Sequence, residues 1–442
     1  MNISLSEHFG YKKLIRFTLP TIVMMIFTSI YGVVDGLFVS NVVGSDAFAA
    51  VNLIIPVTMI LGAFGFMFGT GGSALVAKTL GEKNKKKANE YFSMLIYMLA
   101  VLGIILVIVG IPLLRPLAKV LGATEDMLPT CITYGTILMV SLPIFIIQNS
   151  FQSFMVVAEK PRMGLGVSIL SGITNMILDF LLIYIFRFGV AGAAIATALS
   201  QVVGVVVPMI YFARENDSPL RLVKTKFDFK AILKAAVNGA SEMVSNISMS
   251  LIGMLYNWQL MRIVGPSGVV AFGVIMYAGF IFSGTYFGYS VGSAPIIGYH
   301  YGAGNHKELK SLLKRSLVLL ILAAIVMTGL AELTAGLQAK IFVSYDRDLM
   351  EFTKNAIQLY SISYLVSEIN IFASSFFTAL NNGMVSAVLS FLRTFAFLVV
   401  AILAAPVVLG VNGVWLAVVF AEGLSLVVSI VCLKVYQKKY HY

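Results

Sequence analysis

The sequence predicts an all-α integral membrane protein, with twelve transmembrane helices in two six-helix lobes related by an internal parallel repeat. Three observations predict it. First, 59% of the 442 residues are hydrophobic and 12% are charged, with a mean hydropathy of +0.92. That is too little charge to cover a water-soluble protein of this length. Second, apolar runs of about 20 residues, the length a helix needs to cross a ~30 Å hydrocarbon core, recur along the chain. Third, small residues and loop residues recur at one fixed offset. Strand-like alternation is absent, which argues against a membrane barrel.

The spans are read at 14–40, 48–76, 91–113, 128–154, 163–186, 189–212, 233–262, 268–297, 316–337, 355–379, 384–409 and 411–436. In lipid every backbone group must find a partner within the chain, so each run is expected as a helix. The first follows Lys12, Lys13 and Arg16 and is too long for the apolar core of a signal peptide, so it is expected to remain as a spanning helix. The second carries Gly69-Thr70-Gly71-Gly72-Ser73, which lacks both the Gly-Lys-Ser/Thr ending and the preceding strand of a phosphate loop. Between the sixth and seventh runs lies the only sizeable polar stretch, Arg214 to Lys234. It divides the chain into a first lobe, 1–213, a cytoplasmic linker, 214–234, and a second lobe, 235–442. Gly284, Gly288 and Gly292 line one ridge of the eighth span, as Gly65 and Gly69 do on the second. Such ridges serve close helix packing, with a flexible gate as the alternative.

The net charge of +11 is unevenly spread. With the N-terminus inside, 23 Lys and Arg fall on the inner side and six on the outer. The positive-inside rule then puts both termini in the cytoplasm. The bases sit in short loops rather than on one folded face, so nucleic acid is not an expected partner. Cys131 and Cys432 are far apart and form no disulfide or metal framework. No histidine falls in mid-span, so a histidine proton relay is not expected.

At a shift of 221 residues, Gly44 falls on Gly265, Ala50 on Ala271, Gly81 on Gly302 and Asn84 on Asn305. Gly189, Val190 and Gly192 fall on Gly410, Val411 and Gly413. Several loops agreeing at one offset mark a duplicated unit. Because six is even, both halves enter from the same side, and the axis relating them runs along the membrane normal with a substrate route between the lobes.

Two aspartates stand inside apolar spans: Asp35 in the first and Asp179 in the fifth. Ionisable side chains at such positions usually face a partner, a water-filled cavity or an ion route. Counting from the outer turns puts Asp35 about 15 Å deep, and Asp179 and Thr197 about 12 Å deep. Asn175 lies one turn from Asp179 on the same face, and Tyr134 enters at a comparable level. These five oxygen-bearing side chains suit a hard cation, with Na⁺ at Asp35, Asn175, Asp179 and Thr197. The two carboxyls equally suit a coupled proton carrier, and contacts between helices are the plainer alternative. The repeat sets Tyr256 opposite Asp35 and Val400 opposite Asp179, so fold symmetry does not demand the pair.

The second lobe has acids at Glu242, Glu368 and Glu422, with Arg393 as a partner for one of them. Glu242, Asn257, Tyr277, Phe280 and Glu368 are the candidates for touching a cationic cargo, through charge, stacking and cation–π contacts. The aromatics Phe282, Tyr286, Phe287 and Tyr289 also crowd the eighth span, where packing is the alternative role. No nucleotide site, nucleophile constellation or metal set stands out, so an enzyme is not expected and no cofactor is required beyond Na⁺ or H⁺ as coupling ion.

Over nearly its full length the chain resembles the MATE (multidrug and toxic compound extrusion) family. The resemblance rests on Pro20 with Val34-Asp35-Gly36, the glycine-rich end of span two, Asn175-Met-Ile-Leu-Asp179, and Gly189-Val-Ala-Gly192-Ala-Ala with Thr197. It implies an antiporter of the prokaryotic drug-efflux branch in a bacterial cytoplasmic membrane, exporting amphipathic, cationic organic compounds as a monomer. It also implies that the residues matching Asp35, Tyr134, Asn175, Asp179 and Thr197 bind Na⁺ or H⁺. Glu242, in Gly239-Ala-Ser-Glu242, is similar to the span-seven acid of other branches, and Glu368 more loosely to their span-ten acid. The rivals are a flippase for lipid-linked oligosaccharides in the same superfamily, which would favour a basic cavity, and a channel.

Overall fold

Lipid-facing backbone has no water to bond, and the chain answers with helices throughout. The computed structural model describes residues 3–38, 42–43 and 45–442, with their side chains except those of 33, 35–38 and 45–49. Its elements are α1 (Tyr11–Phe38), α2 (Ser45–Gly81), α3 (Lys85–Val120), α4 (Leu128–Val157), α5 (Pro161–Asp179), α6 (Gly189–Ala213) and α7 (Phe229–Ile263). After these come α8 (Pro266–Gly302), α9 (His306–Val343), α10 (Arg347–Ser361), α11 (Tyr364–Ala379), α12 (Gly383–Phe391), α13 (Phe397–Leu409) and α14 (Val411–Tyr440). A π-turn at Phe180–Ile185 prolongs α5, and another at Leu392–Ala396 joins α12 to α13. The helices combine into twelve crossings, because α10 with α11, and α12 with α13, each make one.

Among the described residues, ten segments are long and apolar enough to cross a membrane individually. The two remaining crossings depart for readable reasons. Helix α7 carries Asn238, Ser241, Glu242, Ser245 and Asn246 within its length. The expected tenth span at 355–379 is instead two helices parted at Ile362 and Ser363, where the Ser361 hydroxyl turns to Glu332 at 2.9 Å. Its first helix begins earlier than hydropathy placed it, because the Asp346 carboxylate caps Asp348 and Leu349 N–H, both at 3.0 Å.

The repeat appears as matched local chemistry. Asn84 caps α3 by accepting from Lys87 N–H at 3.1 Å, and Asn305 caps α9 by accepting from Glu308 N–H at 3.2 Å. Gly189 and Gly410 open α6 and α14 with φ of +56° and +57°, a region that glycine enters without steric cost.

The lobes meet through helix pairs that the repeat makes equivalent, α2 on α7 and α1 on α8, with α2 against α8 between them. A Cβ on Gly81 would overlap the Tyr299 carbonyl, and one on Gly302 would overlap that of Lys78. A Cβ on Gly71 would strike Gly239 of α7, and its repeat mate Gly292 lies on Thr18 of α1. These approaches fall in the half of the bundle that carries both termini, so the lobes are sealed backbone to backbone there. The glycine ridges are therefore packing surfaces.

The segment before α1 straps this sealed end. Ser4 Oγ and Leu5 N–H donate to Glu159 at 2.8 and 2.7 Å. Farther along, Phe9 N–H donates to Glu308 at 2.8 Å, and the Arg315 guanidinium donates to the Phe9 carbonyl. Leu5 and Phe9 are buried beneath it. The linker after α6 is pinned in turn: Arg221 and Val223 N–H donate to Asn89 and Ser93 of α3, and Asp217 accepts from Lys160 at 2.6 Å and Tyr211 at 2.9 Å.

Two outcomes follow. Gly81→Ala forces the lobes apart and is expected to cost about 1–3 kcal/mol. Gly253→Ala, with open space around it, leaves melting of the detergent-solubilised protein unchanged or slightly raised. Lys160, and then Tyr211, hold the Asp217 carboxyl down at about 2. The pinning is thus full above the ordinary carboxylate range near 3.8 and fades as pH falls toward 2. Pepsin cleavage of the linker should accelerate between pH 4 and pH 2 in the wild type, and be fast already at pH 4 in Asp217→Asn.

Candidate functional site

In the first lobe, α5 and α6 run in opposite directions, and one contact fixes their register. The Ser171 hydroxyl donates to the Ser200 carbonyl at 2.7 Å, and Gln148 of α4 donates to Ser171 at 3.3 Å. Four residues farther along α5 is Asn175, and three residues back along α6 is Thr197, so the helical rise brings both to one level. Asp179 stands one turn beyond Asn175, at the point where α5 widens into its π-turn. Such turns recur at functional positions in helices. Asp179 and Asn175 are buried at 0% and 2% exposure, and Thr197 is half-buried. Tyr134 is packed in one cluster with Ile183 of that π-turn and with Ala193 and Ala194 of α6. The backbone of α1 reaches the same level, since Phe27 and Tyr31 lie against Gly172 and Asp35 follows Tyr31 by one turn. The Asp35 side chain lies outside the described residues.

The structure therefore brings the buried Tyr134, Asn175 and Asp179 and the half-buried Thr197 to one stratum of the first lobe. The donors are carboxyl, amide, hydroxyl and phenol oxygens, a hard set that fits Na⁺ or a proton. Among the described residues no cluster of three or more His, Cys, Asp or Glu could hold a metal ion.

Between the lobes lies a cavity of about 30 Å³, room for about one water molecule. Hydroxyls dominate its wall, from Thr70 and Ser73 of α2, Ser153 of α4, Ser245 of α7 and Ser290 of α8. Ser374 and Thr378 of α11 bond Ser386 and Ser390 of α12 at 2.7–2.9 Å, a hydroxyl ladder within that wall. Glu242 and Arg393 also line the cavity. Arg393 pairs with Glu422 at 3.1 Å, and Glu422 accepts from Asn370 at 2.7 Å, whose amide oxygen accepts from Ser429 at 2.9 Å. Its carboxylate partner is thus Glu422, which leaves Glu242 facing the cavity and Glu368 enclosed elsewhere.

Of the five residues proposed to touch cargo, Glu242 alone lines this cavity. Glu368 is 0% exposed, with the Tyr286 phenol beside it, so it presents no surface to a cargo in this conformation. Asn257, Tyr277 and Phe280 are exposed but stand away from the cavity wall. Tyr277 stacks on Phe342, and the Phe280 carbonyl accepts from Ser29. Tyr286 and Tyr289 turn into the core, where Tyr289 donates to Ser316 at 2.8 Å. Packing is their role.

Sequence reasoning missed the hydroxyl wall and the π-turns at Phe180–Ile185 and Leu392–Ala396. The four-residue spacings Ser374/Thr378 and Ser386/Ser390 were the available signal for the ladder. Nothing local marks a π-turn.

The family model described as MatE matches residues 20–181 and again 243–405, once in each half. The chain belongs to the MatE family. It is a multi-pass membrane protein. The multidrug export protein MepA of Staphylococcus aureus (strain MSSA476) is 25% identical over 419 residues, covering 94% of this chain and 91% of the relative. MepA of Staphylococcus haemolyticus (strain JCSC1435) is 26% identical over 380 residues, covering 84% and 82%. A solved structure described as the outward-facing conformation of a multidrug resistance MATE family transporter of the MOP superfamily superposes with a TM-score of 0.93 at 22% identity, covering 99% of this chain and 98% of that one. A MATE crystal structure in complex with MaL6 superposes equally, at 0.93 and 21% identity with the same coverage. These two likenesses establish the same fold across both lobes.

Glu422→Gln removes the carboxylate partner of the half-buried Arg393 and should cost about 1–3 kcal/mol, whereas Arg393→Met with Glu422→Met recovers most of it. Chemical unfolding of the detergent-solubilised protein checks both.

Proposed function

We propose that the chain is a secondary active antiporter that exports amphipathic, cationic organic compounds in exchange for Na⁺ or H⁺. The coupling ion is taken up by Asp35 and Asp179 with Tyr134, Asn175 and Thr197, and both termini face the cytoplasm. One observation carries the reading: a carboxyl at 0% exposure, Asp179, set beside an equally buried amide where a spanning helix widens, in a lobe whose repeat mate has Val400 there. The names of the Staphylococcus relatives support drug export.

Coupling needs only differential affinity. A cation held more tightly in one orientation of the lobes than in the other shifts the population between them. The glycine-lined end, sealed here, is the contact that must part for cargo to enter from the cytoplasm. Glu242 then offers a negative charge in the hydroxyl-lined space between the lobes. The flippase reading is less well supported, because a pyrophosphate would need free positive charge there and Arg393 is engaged by Glu422.

Ethidium efflux from proteoliposomes under separately imposed sodium and pH gradients tests the proposal. One gradient is expected to drive efflux in the wild type, and Asp35→Asn or Asp179→Asn should reduce it to the level of empty liposomes with melting behaviour retained. Full efflux by both variants, or wild-type efflux indifferent to both gradients, overturns it.

A further inference from the structure

We infer that a crevice between α1 and the start of α5 binds the phosphodiester headgroup of an anionic phospholipid in the leaflet on the termini side. The crevice has a volume of about 230 Å³ and lies between Arg16, Phe17 and Pro20 of α1 and Lys160, Arg162 and Met163 at the start of α5. Its lining carries a net positive charge, three bases against the single carboxylate of Glu159. Arg16 and Arg162 are both exposed and form no ion pair among the described residues. Lys160 is spent on Asp217, and Glu159, which also lines the crevice, is turned to Ser4 and Leu5, so two arginines face one carboxylate there.

Depth and shape match a lipid rather than a soluble anion. Arg16 is the sixth residue of α1 and Arg162 the second of α5, within about 8 Å of the helix starts and so at the headgroup layer. Phe17, Pro20 and Met163 supply an apolar wall where the first acyl carbons would run. Lys160 gives α5 no side-chain cap and Pro161 has no N–H, so the N–H groups of Arg162 and Met163 are the ones left available to an anion. Two guanidiniums, each able to grip a phosphate through two donors, complete the site. Basic pockets between spanning helices recognise headgroups in this way.

Native mass spectrometry of the purified full-length protein tests this, with phosphatidylglycerol, phosphatidylcholine and inorganic phosphate as probes. The wild type should retain phosphatidylglycerol about tenfold over phosphatidylcholine, and excess inorganic phosphate should not displace it. Arg16→Gln with Arg162→Gln should erase the preference. Arg16→Lys with Arg162→Lys should keep part of it, and Lys85→Gln with Lys86→Gln, which removes two exposed charges elsewhere on this face, should leave it intact. Equal retention of the two lipids by the wild type overturns the proposal without any variant. So does displacement by inorganic phosphate, a preference that survives the double glutamine change, or an equal loss in the Lys85/Lys86 control.

Discussion

Backbone polar groups in hydrocarbon must be satisfied by the chain itself, and the rest of this structure depends on that constraint. It makes every crossing a helix, and it makes any relaxation of helix geometry costly enough to need a local reason. The π-turns at Phe180–Ile185 and Leu392–Ala396 are such relaxations. Each adjoins or contains an ionisable side chain inside an otherwise apolar span, Asp179 in the first lobe and Arg393 in the second. The widened turn shifts the registry of the following residues without breaking the hydrogen-bonded column. A charged group can then be aimed inward while its flanks still face lipid.

The duplication supplies a frame and the departures from it supply the chemistry. Gly81 with Tyr299, and Gly302 with Lys78, are one contact made twice, and so are Gly71 with Gly239 and Gly292 with Thr18. Such paired approaches let two lobes close against each other along an axis with no side chain between them. The charges do not repeat. The first lobe keeps Asp179 with amide and hydroxyl neighbours, while the second holds an arginine, a glutamate and an asparagine in a bonded chain. A symmetric frame with asymmetric polar cores permits one lobe to change its charge state while the other keeps its shape.

Much of this was legible beforehand. The repeat offset located the paired loops, because an asparagine caps a helix start well and a left-handed turn favours a glycine wherever the unit recurs. The stratum of Tyr134, Asn175, Asp179 and Thr197 followed from counting rise along antiparallel helices. Asn257, Tyr277 and Phe280 did not reach the cavity, because an aromatic or amide on a spanning helix has the same hydropathy whichever way the helix is turned. Glu368 was expected to touch cargo but is fully buried beside Tyr286.

The sequence by itself determined that the chain is helical, membrane-spanning and duplicated, since length, hydropathy and helical rise are local quantities. Which acid Arg393 meets, which face of α8 is lipid and which is core, and that the lobes seal at the end bearing the termini were decided only by tertiary structure. Those outcomes depend on how helices rotate about their own axes and on contacts between residues hundreds of positions apart. No local pattern records either.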